Sequence, residues 1–123
     1  MGFLNDLFGS GTVKENASFW KPLTSIEELD EAVKESEQKK VVIFKHSTRC
    51  HISKTVLDRF EKEQVEHPKD ASFYLLDLLA FRPVSNEIES RLNITHQSPQ
   101  LLVIENGLVI RDASHHSISL SLV

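Results

Sequence analysis

The chain has 123 residues, enough for one domain with a buried core, and its 40% hydrophobic and 26% charged residues are those of a globular protein. A net charge of -4 without any block of Lys or Arg argues against a nucleic-acid backbone as partner. No apolar run approaches the ~20 residues that span a bilayer, so no integral membrane segment is expected. A single cysteine cannot close an internal disulfide, which points to the cytoplasm rather than to an oxidising compartment.

The start, Met1-Gly2-Phe3-Leu4-Asn5-Asp6-Leu7-Phe8, lacks the basic region and long apolar stretch of a secretory signal. Asp6 stands where a myristoylation signal has Ser or Thr. Phe3, Leu4, Leu7 and Phe8 share one face of a short helical pattern, which could fold against the domain or touch a membrane or partner. Gly9-Ser10-Gly11-Thr12 is linker-like. Residues 1–18 are therefore expected to be an N-terminal arm and linker, and residues 19–123 the folded domain.

Ser25-Ile26-Glu27-Glu28 reads as a capping box, and Ile26, Leu29 and Val33 follow at helical spacing, predicting a helix over 26–38. Val41-Val42-Ile43-Phe44 is a short β-branched run suited to a strand buried on both faces. After the turn Ser47-Thr48-Arg49-Cys50, the spacing of Ile52, Val56 and Phe60 predicts a helix from about 50 to 65. Phe73-Tyr74-Leu75-Leu76 is a second buried strand. Val84, Ile88 and Leu92 mark a third helix after Pro83, with Asn93 placed for a left-handed C-cap. Leu101–Ile104 and Leu108–Ile110 flank Asn106-Gly107, a strong two-residue hairpin signal. A short terminal helix is expected from Asp112-Ala113-Ser114, with Ile118 and Leu122 on one face. The order implies an α/β, three-layer fold: a mixed central sheet, helices on both faces, and a C-terminal hairpin followed by that helix.

Chemistry in such sheets gathers beyond the carboxyl ends of parallel strands, which is where Cys50 falls. Free N–H groups and the positive dipole end at a helix start favour a thiolate, the nucleophile in attack on a disulfide sulfur. Arg49 and His51 flank Cys50, and Lys45 and His46 are near in sequence, so the local field is expected to be cationic. Ser53 lies one turn on, where its hydroxyl could donate to the thiolate but could not resolve a mixed disulfide. His46, Cys50 and His51 have tempting metal-ligand spacing, yet His46 ends a strand while Cys50 starts a helix, and no second cysteine completes a site. Ordinary surface histidines are the expectation, with no metal and no bound cofactor. Ser98-Pro99 precedes the third strand. An X-Pro bond before a strand is more often trans and part of a turn, but a cis Pro99 would hold the Ser98 backbone ready to pair with a substrate disulfide.

Three stretches carry a family resemblance. Val41–Lys45 followed by a turn and Cys50 resembles the first core strand and nucleophile of the thioredoxin superfamily, and residues 93–107 resemble its cis-proline segment and terminal hairpin. Phe44-Lys45-His46-Ser47-Thr48-Arg49-Cys50-His51-Ile52-Ser53, with His96-Gln97-Ser98-Pro99-Gln100, resembles the monothiol bacilliredoxins over roughly residues 20–123. The resemblance implies a thioredoxin fold and an enzyme that removes a low-molecular-weight thiol, bacillithiol or similar, from mixed disulfides on S-thiolated cytosolic proteins under oxidative stress. By position it makes Cys50 the nucleophile, puts Ser53 in the resolving-cysteine place, makes Pro99 the cis-proline and gives Ser98 a substrate-pairing backbone. Where the family often has proline after the cysteine, this chain has His51. Monothiol glutaredoxins are a second comparison, but Cys50-His51-Ile52-Ser53 lacks their Cys-Gly-Phe-Ser cluster site. The competing classes are a redox-inactive thioredoxin-fold binding or adaptor module and a metal or cluster carrier using Cys50 across a dimer.

Overall fold

A computed structural model describes residues 19–123; the expected N-terminal arm of residues 1–18 lies outside the described residues. Strand β1 (Trp20–Pro22) is followed by α1 (Ile26–Glu35), β2 (Val41–His46), α2 (His51–Glu66), β3 (Ser72–Asp77), α3 (Arg82–Leu92), β4 (Gln100–Glu105) and β5 (Leu108–Ser114). The five strands form one mixed sheet in the order β1-β3-β2-β4-β5. β1, β3 and β2 are mutually parallel, while β4 runs antiparallel to β2 and β5 antiparallel to β4.

The capping pattern read from the sequence accounts for the start of α1. The Ser25 side chain accepts the Glu28 N–H at 3.1 Å, and the Glu28 carboxylate reaches back to the Thr24 N–H at 2.6 Å. At the far end of α3, Asn93 takes the left-handed conformation (φ 54°, ψ 49°) that stops the helix. Asn106 and Gly107 both have positive φ, as a tight two-residue hairpin between twisted strands requires.

Strand alternation divides the core into two layers. Val41 and Ile43 of β2, Leu102 and Ile104 of β4, and Leu76 of β3 pack against α1 and α3 through Leu29, Ala32, Val84 and Ile88. Val42 and Phe44, with Leu101, Val103 and Phe73, face α2 through Val56, Leu57 and Phe60. Trp20 completes an aromatic cluster on this second face, lying 5.9 Å from both Phe44 and Phe73 and 6.0 Å from Phe60 between ring centroids. Its indole N–H donates to Glu61 at 2.6 Å.

Two elements differ from the expectation. β1 has only three residues, one a proline, so it carries no period that patterning could detect; it is an edge strand set by pairing with β3. The terminal helix is instead two 3₁₀ turns, His115–Ser117 and Leu120–Leu122, because β4 holds the chain in the ladder as far as Gln100 opposite Ser114. The tail still covers the α2 face. Ile118, Leu120 and Val123 are buried there, Arg59 donates to the Ile118 carbonyl, and the Leu120 N–H donates to Glu63 at 3.0 Å.

Candidate functional site

The topology gathers three segments at one end of the sheet. β2 and β3 end there together, with His46 opposite Asp77, and β4 begins there, with Gln100 opposite Lys45. The turn carrying Cys50 leaves β2 at this end, α3 starts beyond β3, and the Ser98–Pro99 segment enters β4.

Cys50 is the N-cap residue of α2, with extended backbone (φ -109°, ψ 118°). Its N–H donates to the Ser47 carbonyl at 3.1 Å, closing the turn, and its carbonyl accepts the Lys54 N–H at 3.1 Å as the first bond of the helix. A Ser, Thr or Asp at an N-cap ordinarily accepts an orphan N–H of the first turn. Here no side-chain capping bond is made, and the first turn carries no acidic residue. The positive end of a 16-residue helix is thus left for whatever anion forms at this position. Cys50 is half-buried, and Arg49 and His51 beside it are exposed.

The neighbours in β2 behave otherwise than the sequence suggests. Lys45 and His46 point to opposite faces, and neither is a free cation beside Cys50. His46 is half-buried, with Nδ1 2.7 Å from Ser53 Oγ. Burial holds it below the ordinary histidine value, against a smaller upward pull from Asp77 and Asp58, so it is neutral at pH 7. Ser53 is fully buried, and its hydroxyl also accepts the Ser47 N–H at 3.1 Å. The Ser53 hydroxyl is therefore engaged with the end of β2 and the turn that carries Cys50, and it joins the first turn of α2 to the sheet.

Lys45 is fully buried on the α1/α3 face, in line with Val41 and Ile43. Its Nζ lies 2.7 Å from Nδ1 of His96, which the Ser85 hydroxyl also approaches at 3.4 Å. Burial pushes Lys45 down to about 8, with Glu89 pulling upward and Arg82 downward. Burial, then the Lys45 and Arg82 cations, also hold His96 below its ordinary value. Two of the six histidines thus belong to built networks; His51, His67, His115 and His116 are exposed, as expected of surface residues.

The Ser98–Pro99 peptide bond is cis. The segment before it is clamped from within. The Gln100 side chain accepts the Gln97 N–H at 3.3 Å and donates to the Thr95 carbonyl at 3.0 Å, and the His96 N–H donates to Glu89 at 3.1 Å. The Ser98 hydroxyl is buried without a hydrogen-bond partner. Cys50, Ser53, Ser98 and Pro99 thus share one end of the fold, together with Arg49 and His51. The Lys45–His96 pair was missed by sequence reasoning. Its one signal was a lysine continuing the buried alternation of Val41 and Ile43.

A model of the family described as monothiol bacilliredoxin BrxC matches residues 21–123. A solved structure described as a candidate oxidoreductase with a thioredoxin fold is 31% identical, aligning over 86% of this chain and 94% of its own with a TM-score of 0.73. Oxidised mitochondrial thioredoxin 3 from Saccharomyces cerevisiae is 21% identical over 80% of this chain and 88% of its own, TM-score 0.64. Fasciola hepatica thioredoxin is 16% identical over 83% and 91%, TM-score 0.64. The last two establish the thioredoxin fold alone.

Proposed function

We infer the activity from kinship and geometry together, for the chain belongs to the monothiol bacilliredoxin family. Membership carries a thiol–disulfide redox role, and the single cysteine makes it monothiol. The finer reading is that this protein strips a low-molecular-weight thiol, bacillithiol or a similar one, from S-thiolated proteins of the cytoplasm. The observation that carries it is the half-buried Cys50 at the uncapped, acid-free start of α2.

In this mechanism the Cys50 thiolate attacks the sulfur of the small thiol in a protein–S–S–R mixed disulfide. The Cys50–S–R bond forms as the protein–sulfur bond breaks, and the protein sulfur leaves as a thiolate that takes a proton from water. A second molecule of the free thiol then attacks the R sulfur, releasing the small-molecule disulfide and returning the Cys50 thiolate. The N–H groups of the first turn hold the negative charge, with Arg49 and His51 adding to the field felt by an approaching anionic thiol. The Ser98 backbone pairs with the substrate beside Pro99. Ser53 occupies the place of a resolving thiol but offers only a hydroxyl, so resolution comes from outside the chain.

The test is release of a reporter protein's thiol from its bacillithiol mixed disulfide by wild type and Cys50→Ser. Release by the wild type alone supports the reading. Equal, uncatalysed rates for both would leave an adaptor module as the better description.

A further inference from the structure

Lys45 is the one charged side chain in the buried stripe that β2 presents to α1 and α3, and it is fully excluded from solvent. A buried cation is weak evidence for stability, because an apolar side chain of similar length generally serves the core as well or better. Its surroundings suggest another use. Its partner His96 lies two residues before Ser98, and Lys45 itself is in register with Gln100, one residue after Pro99. One strand therefore holds both halves of the site. His46 reaches through Ser53 to the helix of the nucleophile, and Lys45 reaches through His96 to the segment expected to pair with substrate.

The contact also selects a tautomer. Lys45 can only donate while charged, so Nδ1 of His96 accepts and the ring proton sits on Nε2. The groups facing Lys45 are His96 on the segment and Arg82 and Glu89 on α3, with the Ser85 hydroxyl beside them. On the same segment the buried Ser98 hydroxyl lacks a partner, as a group left open for an incoming molecule would.

We propose that Lys45 is a positioning residue for thiol exchange: its hydrogen bond to His96 fixes residues 96–99 in the conformation that receives the substrate disulfide. This rests on the exchange activity proposed above. Lys45 touches neither Cys50 nor substrate in this role, so its loss should weaken capture of a mixed disulfide and spare the intrinsic reactivity of the thiol.

The experiment compares wild type with Lys45→Met and His96→Asn in the full chain. The substrate is the bacillithiol mixed disulfide of a single-cysteine reporter, and Cys50 is alkylated in parallel with iodoacetamide, which needs no docking segment. Lys45→Met should lower kcat/KM about tenfold, mostly through KM, with the alkylation rate within about twofold of wild type. His96→Asn, whose Oδ1 can accept from Lys45 where Nδ1 does, should instead keep kcat/KM within about threefold of wild type. Nitrogen-15 NMR of the wild-type histidines should find the His96 proton on Nε2, a readout that needs no turnover. An unchanged kcat/KM in a folded Lys45→Met, a parallel fall in alkylation, or a His96 proton on Nδ1 would each overturn the assignment. Wild type that fails to turn over the mixed disulfide would instead remove the exchange activity itself, leaving the NMR result to decide the contact.

Discussion

The two faces of the sheet are built from different materials and end in different ways. The α2 face is aromatic, with Trp20, Phe44, Phe60 and Phe73 in contact, and at the site end it passes into the neutral His46–Ser53 pair. The α1/α3 face is mainly aliphatic, with Tyr74 its buried aromatic residue, and ends in the charged Lys45–His96 pair. Adjacent residues of one strand supply both polar ends. The aromatic layer backs α2, the helix that carries the proposed nucleophile. The opposite layer joins Lys45 to the segment before Pro99 through His96.

The largest expected effect breaks the aromatic face. Phe60→Ala empties the centre of that cluster and should cost about 3–5 kcal/mol in urea-induced unfolding, while leaving the folded protein's His96 NMR signals unmoved. Ser53→Ala acts at the polar end of the same face. It strands the buried Ser47 N–H and the His46 ring, and should cost about 1–3 kcal/mol by the same measurement.

The opposite face is probed by pH. Folding pushes Lys45 from 10.5 to about 8, so above that value the native state has released a proton that the unfolded chain still binds. The Lys45 contribution is a penalty at neutral pH that is relieved as pH rises from about 8 to 10.5, adding a slope of up to about 1.4 kcal/mol per pH unit. Lys45→Met should lose that rising slope relative to wild type and match or exceed its stability at pH 7. Parallel stability curves for the two proteins would mean that Lys45 keeps its proton in the fold.

Much of this was legible in the sequence, for reasons particular residues make plain. The Ser25–Glu28 box, the Asn93 cap and the Asn106-Gly107 turn are local chemistry, and each appears as read. Cys50 at the head of α2 follows from a strand, a turn and a helix in immediate succession. What was not legible depends on distant partners. Lys45 and His96 are 51 residues apart, and the sequence showed two cations near a cysteine where the fold separates Lys45 and His46 onto opposite faces. The sequence offers the Ser53 hydroxyl as a possible donor to the thiolate but gives no sign of the Ser47 N–H and the His46 ring that the fold brings to it. The apolar spacing of the tail predicts a helix, but the ladder with β4 takes its first residues.

The most direct test of the whole account is intact-protein mass spectrometry of the reduced chain after brief exposure to a bacillithiol-modified reporter protein. The account predicts one bacillithiol adduct, mapped to Cys50, appearing as the reporter thiol is released and disappearing when free bacillithiol is added. A Cys50 that stays unmodified while the reporter keeps its adduct would contradict it.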